Sequence, residues 1–265
     1  MKKKIFVYSL FCLGIILACS KDSDVTPGPI AVDKSANLLA TGASANDILS
    51  NTNFDKLLIE IAYVNGFRPT NATMDNFETF LRERTFKTDI EFTFTPLSSP
   101  NEETLTLQEI ADLESDNRTE YNNGSTLAIY IYFADAPSDG DDESEGLVTL
   151  GAVYRNTSMI IYEATVRQLA GQSNLISVTD VESATLNHEF GHLFGLVNLG
   201  TPPVNDHEDL DAENHCNVQG CLMRAELQFG GPTMKMLESR ASKGAVAVPA
   251  LDAECILDLQ KNGGR

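Results

Sequence analysis

The residues best placed to do chemistry are His188-Glu189-Phe190-Gly191-His192, two histidines four apart with a glutamate after the first. On an α-helix of about 3.6 residues per turn, positions four apart lie one above the other, so both imidazoles project from one face and can share a metal ion. Glu189 lies about 100° round the helix from His188, near enough to take a proton from water activated by that metal without ligating it. Such strings also arise by chance on helices, as surface or core decoration. Here Leu186, Phe190, Leu193, Phe194 and Leu196 would fix the helix in a core, and all four histidines of the chain fall between 188 and 215. Gly195, three residues past His192, stands where the chain must leave the helix and turn back.

His188-Glu189-x-x-His192-x-x-Gly195 resembles the opening of the metzincin motif of zinc endopeptidases, in which a third histidine follows the glycine by three residues. That position is Asn198, a poor zinc ligand. Further on, His215-Cys216-x-x-x-x-Cys221-Leu222-Met223 is similar to the continuation in archaemetzincins. The resemblance implies that residues 198–214 are an insertion and that His215 is the third zinc ligand. His207, inside Asp206-His207-Glu208-Asp209, is its rival, and Asp206 is a lesser alternative because zinc accepts carboxylates. Met223 matches the family's Met-turn, an apolar base beneath the metal, although a lone Met is more often packing filler.

In archaemetzincins the matching cysteines help to bind a second zinc together with a downstream CxxC. This chain has only Cys255 there, with Asp258 where the second cysteine would stand. That departure, with the oxidising compartment to which a secretory leader delivers a chain, makes Cys216, Cys221 and Cys255 disulfide candidates, in a pairing left open. The acidic stretch Asp139, Asp141, Asp142, Glu143 and Glu145 is a candidate for Ca²⁺, but it lacks EF-hand spacing and reads better as a solvated loop.

Several elements must position these groups. Residues 57–64 read as a strand ended by Asn65-Gly66, and 74–84 as a helix capped by Thr73. Residues 90–95 alternate as a strand stopped by Pro96, and 105–113 have a helical pattern. The nearly unbroken apolar run 127–133 is an interior strand. Two more strands are expected over 147–154 and 159–165, then the motif helix over 181–196 with Asp180 as its cap. Helices near 233–239 and 251–260 close a loop-rich C-terminal part. The alternation predicts an α/β (α+β) layer fold. The resemblance makes it zincin/metzincin-like, with a mixed twisted sheet and the HExxH helix against it.

The 265 residues carry 19 Lys and Arg against 38 Asp and Glu, a net charge of −19. With no basic stripe to neutralise phosphates, nucleic acid is excluded as a partner. At 42% hydrophobic residues the chain is too apolar to be disordered. Lys2, Lys3 and Lys4 precede an apolar run over 5–18 that is short for a membrane span and suited to a secretory leader. It closes on Ile16-Leu17-Ala18-Cys19, which resembles the lipobox of bacterial lipoproteins and makes Cys19 the lipidated N-terminus. An ordinary leader with an incidental Cys is the alternative. Removing the three lysines takes the net charge from −19 to −22.

Ser20-Lys21-Asp22-Ser23-Asp24 resembles an acidic export tag that places lipoproteins on the Gram-negative cell surface. The expected organisation is therefore a signal peptide (1–18), a lipidated flexible stalk (19–44) and a catalytic domain (45–265), monomeric and attached to the outer membrane only by lipid. The expected activity is zinc-dependent hydrolysis of peptide bonds in proteins, with Glu189 as general base. The competing expectation is a non-catalytic surface-binding lipoprotein with a structural zinc.

Overall fold

In the computed structural model the described residues are 32–142, 144 and 147–265. The leader, Cys12, Cys19 and the export tag lie outside them, as do Glu143 and Glu145. No helix among the described residues is long and apolar enough to cross a membrane.

The expected stalk gives way to the folded unit earlier than residue 45. The unit runs from Asp33 to the C-terminus, and Ser35–Leu38 form a 3-10 turn docked on it. The Asn37 side chain is buried, donates to Glu114 Oε1 at 2.8 Å and accepts from Thr157 Oγ1 at 2.7 Å. A segment without apolar periodicity is thus held by a buried polar network, a signal that hydropathy does not carry. Helix α1 (Ala45–Leu49) follows, with Ile48 and Leu49 fully buried.

The chain then builds β1 (Lys56–Val64), α2 (Asn71–Arg84), β2 (Asp89–Leu97), α3 (Leu107–Asn117) and β3 (Thr126–Phe133). Strands β4 (Gly151–Arg155) and β5 (Ser158–Ile161) come next, then α4 (Glu163–Ala170) and α5 (Val178–Leu193). The sheet order is β2-β1-β3-β5-β4, with β4 antiparallel to β5 and every other pair parallel. On β3, Leu127, Ile129, Ile131 and Phe133 face the core shared with α2 and α5, while Tyr130 and Tyr132 join Ile110 of α3 in a second cluster. The apolar run is therefore buried on both faces, as an interior parallel strand requires. The α/β class with a mixed sheet holds.

Four local expectations change. Thr70, not Thr73, caps α2, accepting from Thr73 N at 3.1 Å. Strand β2 runs through Pro96 to Leu97, which an edge strand tolerates because the missing N–H leaves no ladder bond unmade on its outer side. The strand expected over 147–154 starts only at Gly151. The one expected over 159–165 stops at Ile161, and α4 begins two residues later. Thr165 and Val166 made that stretch look extended. The helical signal is Glu163 four residues before Arg167, whose side chains meet one turn apart through a hydrogen bond from Arg167 Nε.

The C-terminal part contains a small antiparallel pair, β6 (Glu208–Asp209) and β7 (Ala212–Cys216), then α6 (Gly230–Ser242) and α7 (Ala253–Lys261).

Candidate metal centre

Helix α5 is locked at both ends. Ser177 accepts from Asp180 N, and the Asp180 carboxylate answers the Ser177 N–H, so Asp180 closes a capping box instead of capping the helix itself. At the other end Leu196 N donates to Gly191 O at 3.2 Å and Gly195 N to His192 O at 3.0 Å, a Schellman turn. Gly195 has φ 71°, and a Cβ there would lie 2.7 Å from Thr201 N. Residues 181–193 of α5 are all buried, so the motif is presented from within a core.

His188, His192 and His215 converge. Their ring centroids are 4.9, 5.4 and 5.1 Å apart, and one ligand atom from each lies within 4.8 Å of the others. His188 Nδ1 donates to Leu222 O at 2.8 Å and His215 Nδ1 to Glu213 O at 2.9 Å, which leaves both Nε2 atoms as acceptors. Those two Nε2 atoms and His192 Nδ1 are buried with no hydrogen-bond partner. Burial, reinforced by the neighbouring imidazole of His215, lowers the His188 pKa to about 3. Burial likewise holds His192 well below the usual range and lowers His215. Burial thus favours the neutral, lone-pair-bearing form that a zinc ligand needs, and three imidazoles would leave one of the usual four positions of zinc to water.

Glu189 is 2% exposed. Burial pushes its carboxyl up to about 8, opposed by a hydrogen bond from the Val153 backbone. A nearby dication would draw it back down. Edge strand β4 presses against this carboxylate so closely that a Cβ on Gly151 would come within 2.8 Å of Glu189 Cγ. Ala152 and Val153 of β4 form one wall of a cleft of about 580 Å³ whose floor holds Glu189, His192 and His215. Phe229 also lines it. The contribution of Phe229 carries no signal in the sequence, because it depends on packing between distant segments.

Met223 is fully buried, and a Cβ on Gly191 would sit 2.2 Å from its sulfur. The Met side chain thus lies flat against the helix turn that joins the two ligands. Its carbonyl accepts from Cys216 N at 2.7 Å, tying the Met turn to the strand that presents His215.

His207 is not part of this group. It is buried elsewhere, with Nδ1 3.3 Å from Cys216 Sγ and Nε2 2.8 Å from Asp258 Oδ2. Asp206 is likewise absent from both metal-competent groups found among the described residues. The expected disulfide is corrected: Cys216, Cys221 and Cys255 are all free thiols. Cys221 Sγ and Cys255 Sγ stand 3.6 Å apart, far beyond the roughly 2.05 Å of a covalent bridge. Three thiols converge here instead of pairing, and a single bridge would strand the third.

No metal-competent group is found among the described residues of the acidic loop. Asp141 accepts from Thr149 N at 2.7 Å and Asp142 from Ser144 N at 2.9 Å, so these carboxylates hold the loop itself.

No family model matches the sequence, and no curated protein matches it significantly. Among solved structures, archaemetzincin from Methanopyrus kandleri superposes with a TM-score of 0.50 at 14% identity, covering 78% of this chain and 96% of that one. A zinc-dependent peptidase from Methanocorpusculum labreanum aligns at TM-score 0.43 and 11% identity, over 76% of this chain and 99% of that one. Metalloproteinase-II from Bacteroides fragilis aligns at TM-score 0.43 and 12% identity, over 80% and 54%. The chain thus has the fold of the Methanopyrus archaemetzincin, with the HExxH helix packed under a mixed sheet whose antiparallel edge strand borders the cleft.

Proposed function

We propose that this chain is a zinc-dependent endopeptidase with His188, His192 and His215 as metal ligands and Glu189 as general base. The observation that carries the proposal is the convergence of three buried imidazoles, each offering a ligand atom within 4.8 Å of the others, beside a buried carboxylate. Zinc held by three imidazoles supplies a Lewis acid for the scissile carbonyl and lowers the pKa of water in its open position to about 7. Glu189 takes the proton of the attacking water and returns it to the leaving amine. Strand β4 stands at the sheet edge, where its outer backbone groups can pair with an extended peptide and lay the scissile bond across the cleft floor.

A structural zinc would be expected to fill its fourth position with protein. No fourth His, Cys, Asp or Glu joins the three histidines among the described residues, which favours the catalytic reading over the binding-protein reading. The test is zinc content and casein cleavage in His215→Ala and His207→Ala. His215→Ala should lose the zinc of this site together with cleavage. Unchanged zinc and cleavage in that variant would overturn the ligand set.

The apolar leader ending in Cys19 supports, as part of the same proposal, an outer-membrane lipoprotein displayed at the cell surface. Metabolic labelling with palmitate should mark the wild type and not Cys19→Ala. Labelling of both would remove the anchor.

A further inference from the structure

The cleft over the three histidines is lopsided in charge. Among the described residues that line it, Glu189 and Glu213 are acidic and none is a lysine or arginine. Glu189 is buried on the floor, whereas Glu213 is exposed on the wall built by β7. Among the described residues the Glu213 carboxylate has no hydrogen-bond or ion-pair partner, its backbone oxygen alone being engaged, by His215 Nδ1. The neighbouring arginines are spoken for. Arg224 is gripped by Glu226 through Nε at 2.7 Å and Nη2 at 2.6 Å and reaches Asp209 at 3.2 Å. Arg155, at the end of β4, turns to the buried Glu114 at 3.4 Å.

Backbone geometry puts this charge on the cleft. A regular strand sends alternate side chains to opposite faces, yet Ala212, Glu213, Asn214 and His215 all line the cleft. Asn214 breaks the alternation with φ 64°, a left-handed conformation that Asn tolerates, and its N–H is fixed by Glu208 Oε1 at 2.7 Å. Glu208 Oε2 also accepts from Asn198 Nδ2, so the rim at Leu199 and the rim at Glu213 are tied through one carboxylate.

The free length of β4 limits which residues of a peptide meet this wall. Leu150 N donates to Gln228 O at 3.2 Å and Gly230 N to Val148 O at 2.7 Å, so residues 228–230 already occupy the outer edge ahead of Gly151. A peptide can pair only along Gly151–Arg155, and because side chains alternate, about two or three of its residues face the cleft.

We propose that the cleft selects peptides with a Lys or Arg side chain close to the scissile bond, and that Glu213 is the specificity-determining residue that pairs with it. The proposal rests on the peptidase reading above and names its substrate class. Bound zinc would put positive charge on the floor and penalise a cation there. Lys and Arg avoid that cost by laying their apolar stems along Ala212 and Leu199 and carrying the charged head out to the rim. The net charge of −19 does not make this choice, because exposed charges more than about 8–10 Å away are largely screened at physiological salt.

The test uses fluorescent peptides that carry Lys, norleucine or Glu at one position, moved in turn along the residues flanking the cleaved bond. In the wild type, kcat/KM should favour Lys over norleucine by about fivefold at one or two positions, the upper end for an exposed ion pair. Glu213→Gln should abolish the preference, and Glu213→Lys should invert it in favour of Glu. Asp75→Lys changes the net charge equally but lies on α2 beside β2, at the opposite edge of the sheet, and should keep the wild-type ratio. Fluorescence anisotropy of the same peptides with zinc-loaded Glu189→Ala reads the preference without catalysis. Lys-selective binding with no cleavage of any peptide by the wild type would overturn the peptidase reading and leave the charge selection standing. Equal preference in wild type and Glu213→Gln, or a ratio shifted as far by Asp75→Lys as by Glu213→Lys, would overturn the role of Glu213.

Discussion

Helix α5 and the 198–223 segment each deliver part of one metal centre, and they are held by different physics. The helix brings His188, Glu189 and His192 on consecutive turns, sealed by a capping box at one end and a Schellman turn at the other, with Phe190, Leu193 and Phe194 fully buried. Backbone hydrogen bonds and apolar burial fix these three side chains without any metal. His215 arrives on a five-residue strand paired only with the two residues of β6. Its position depends on Cys216 N to Met223 O, on Asn214 N to Glu208 Oε1, and on Arg224 reaching Asp209 and the Cys216 carbonyl. The helical half is preorganised by the fold. The other half is preorganised by polar links.

The sharpest way to break this contrast is to remove a ligand from each half. His192→Ala should abolish cleavage and zinc at the three-histidine site while leaving the melting temperature within a few degrees, because the helix keeps its core contacts. If that substitution unfolds the protein, the helix is not rigid without its metal. The next largest effect is on packing. Gly191→Val drives a side chain into the space of the Met223 sulfur and should cost about 1–3 kcal/mol, read as a lowered urea midpoint. An unchanged midpoint would mean that Met223 does not press on the helix.

Stripping all metal with a strong chelator should then separate the halves in amide hydrogen exchange. Protection over 208–223 should fall by at least about tenfold, while 181–193 stays close to its starting value. Equal loss in both segments would erase the distinction.

The smallest effect concerns how α5 is seated on α4. Burial, together with the neighbouring Glu182 carboxylate, pushes Glu163 up to about 9, with Arg167 opposing. Glu182 in turn accepts from Thr70 N and Thr70 Oγ. A raised folded-state pKa means that the folded protein binds more protons than the unfolded chain between about 4.5 and 9. Stability from this group is full below about 4.5 and is lost as pH rises through about 9, at no more than about 1.4 kcal/mol per pH unit. Glu163→Gln should flatten the decline in melting temperature between pH 6 and pH 9, and a slope identical to wild type would refute the assignment.

The same contrast explains how much was legible in the sequence. The helix half is periodic, and its ligands, base and terminating glycine follow from spacing alone, as does the buried strand β3. The other half is set by contacts between residues far apart in the chain. His215 was reached only through the family's HC-x₄-C-x-M pattern, while the separation of His207 from it depends on Asp258, more than fifty residues away. The cysteines misled in a specific way: counting three thiols in an oxidising compartment suggests a bridge, whereas their convergence with an imidazole emerges only when α7 is folded against β7. Residues 33–44 look like stalk in the sequence because their attachment is through buried amides and hydroxyls.

The central claim, that Glu189 does chemistry on water at a site whose metal it does not hold, is tested most directly by Glu189→Ala. Zinc content and casein cleavage are measured on the same preparations of wild type and variant. The account predicts unchanged zinc and cleavage lower by at least about 10²-fold. Cleavage within a few-fold of wild type at equal zinc would contradict it.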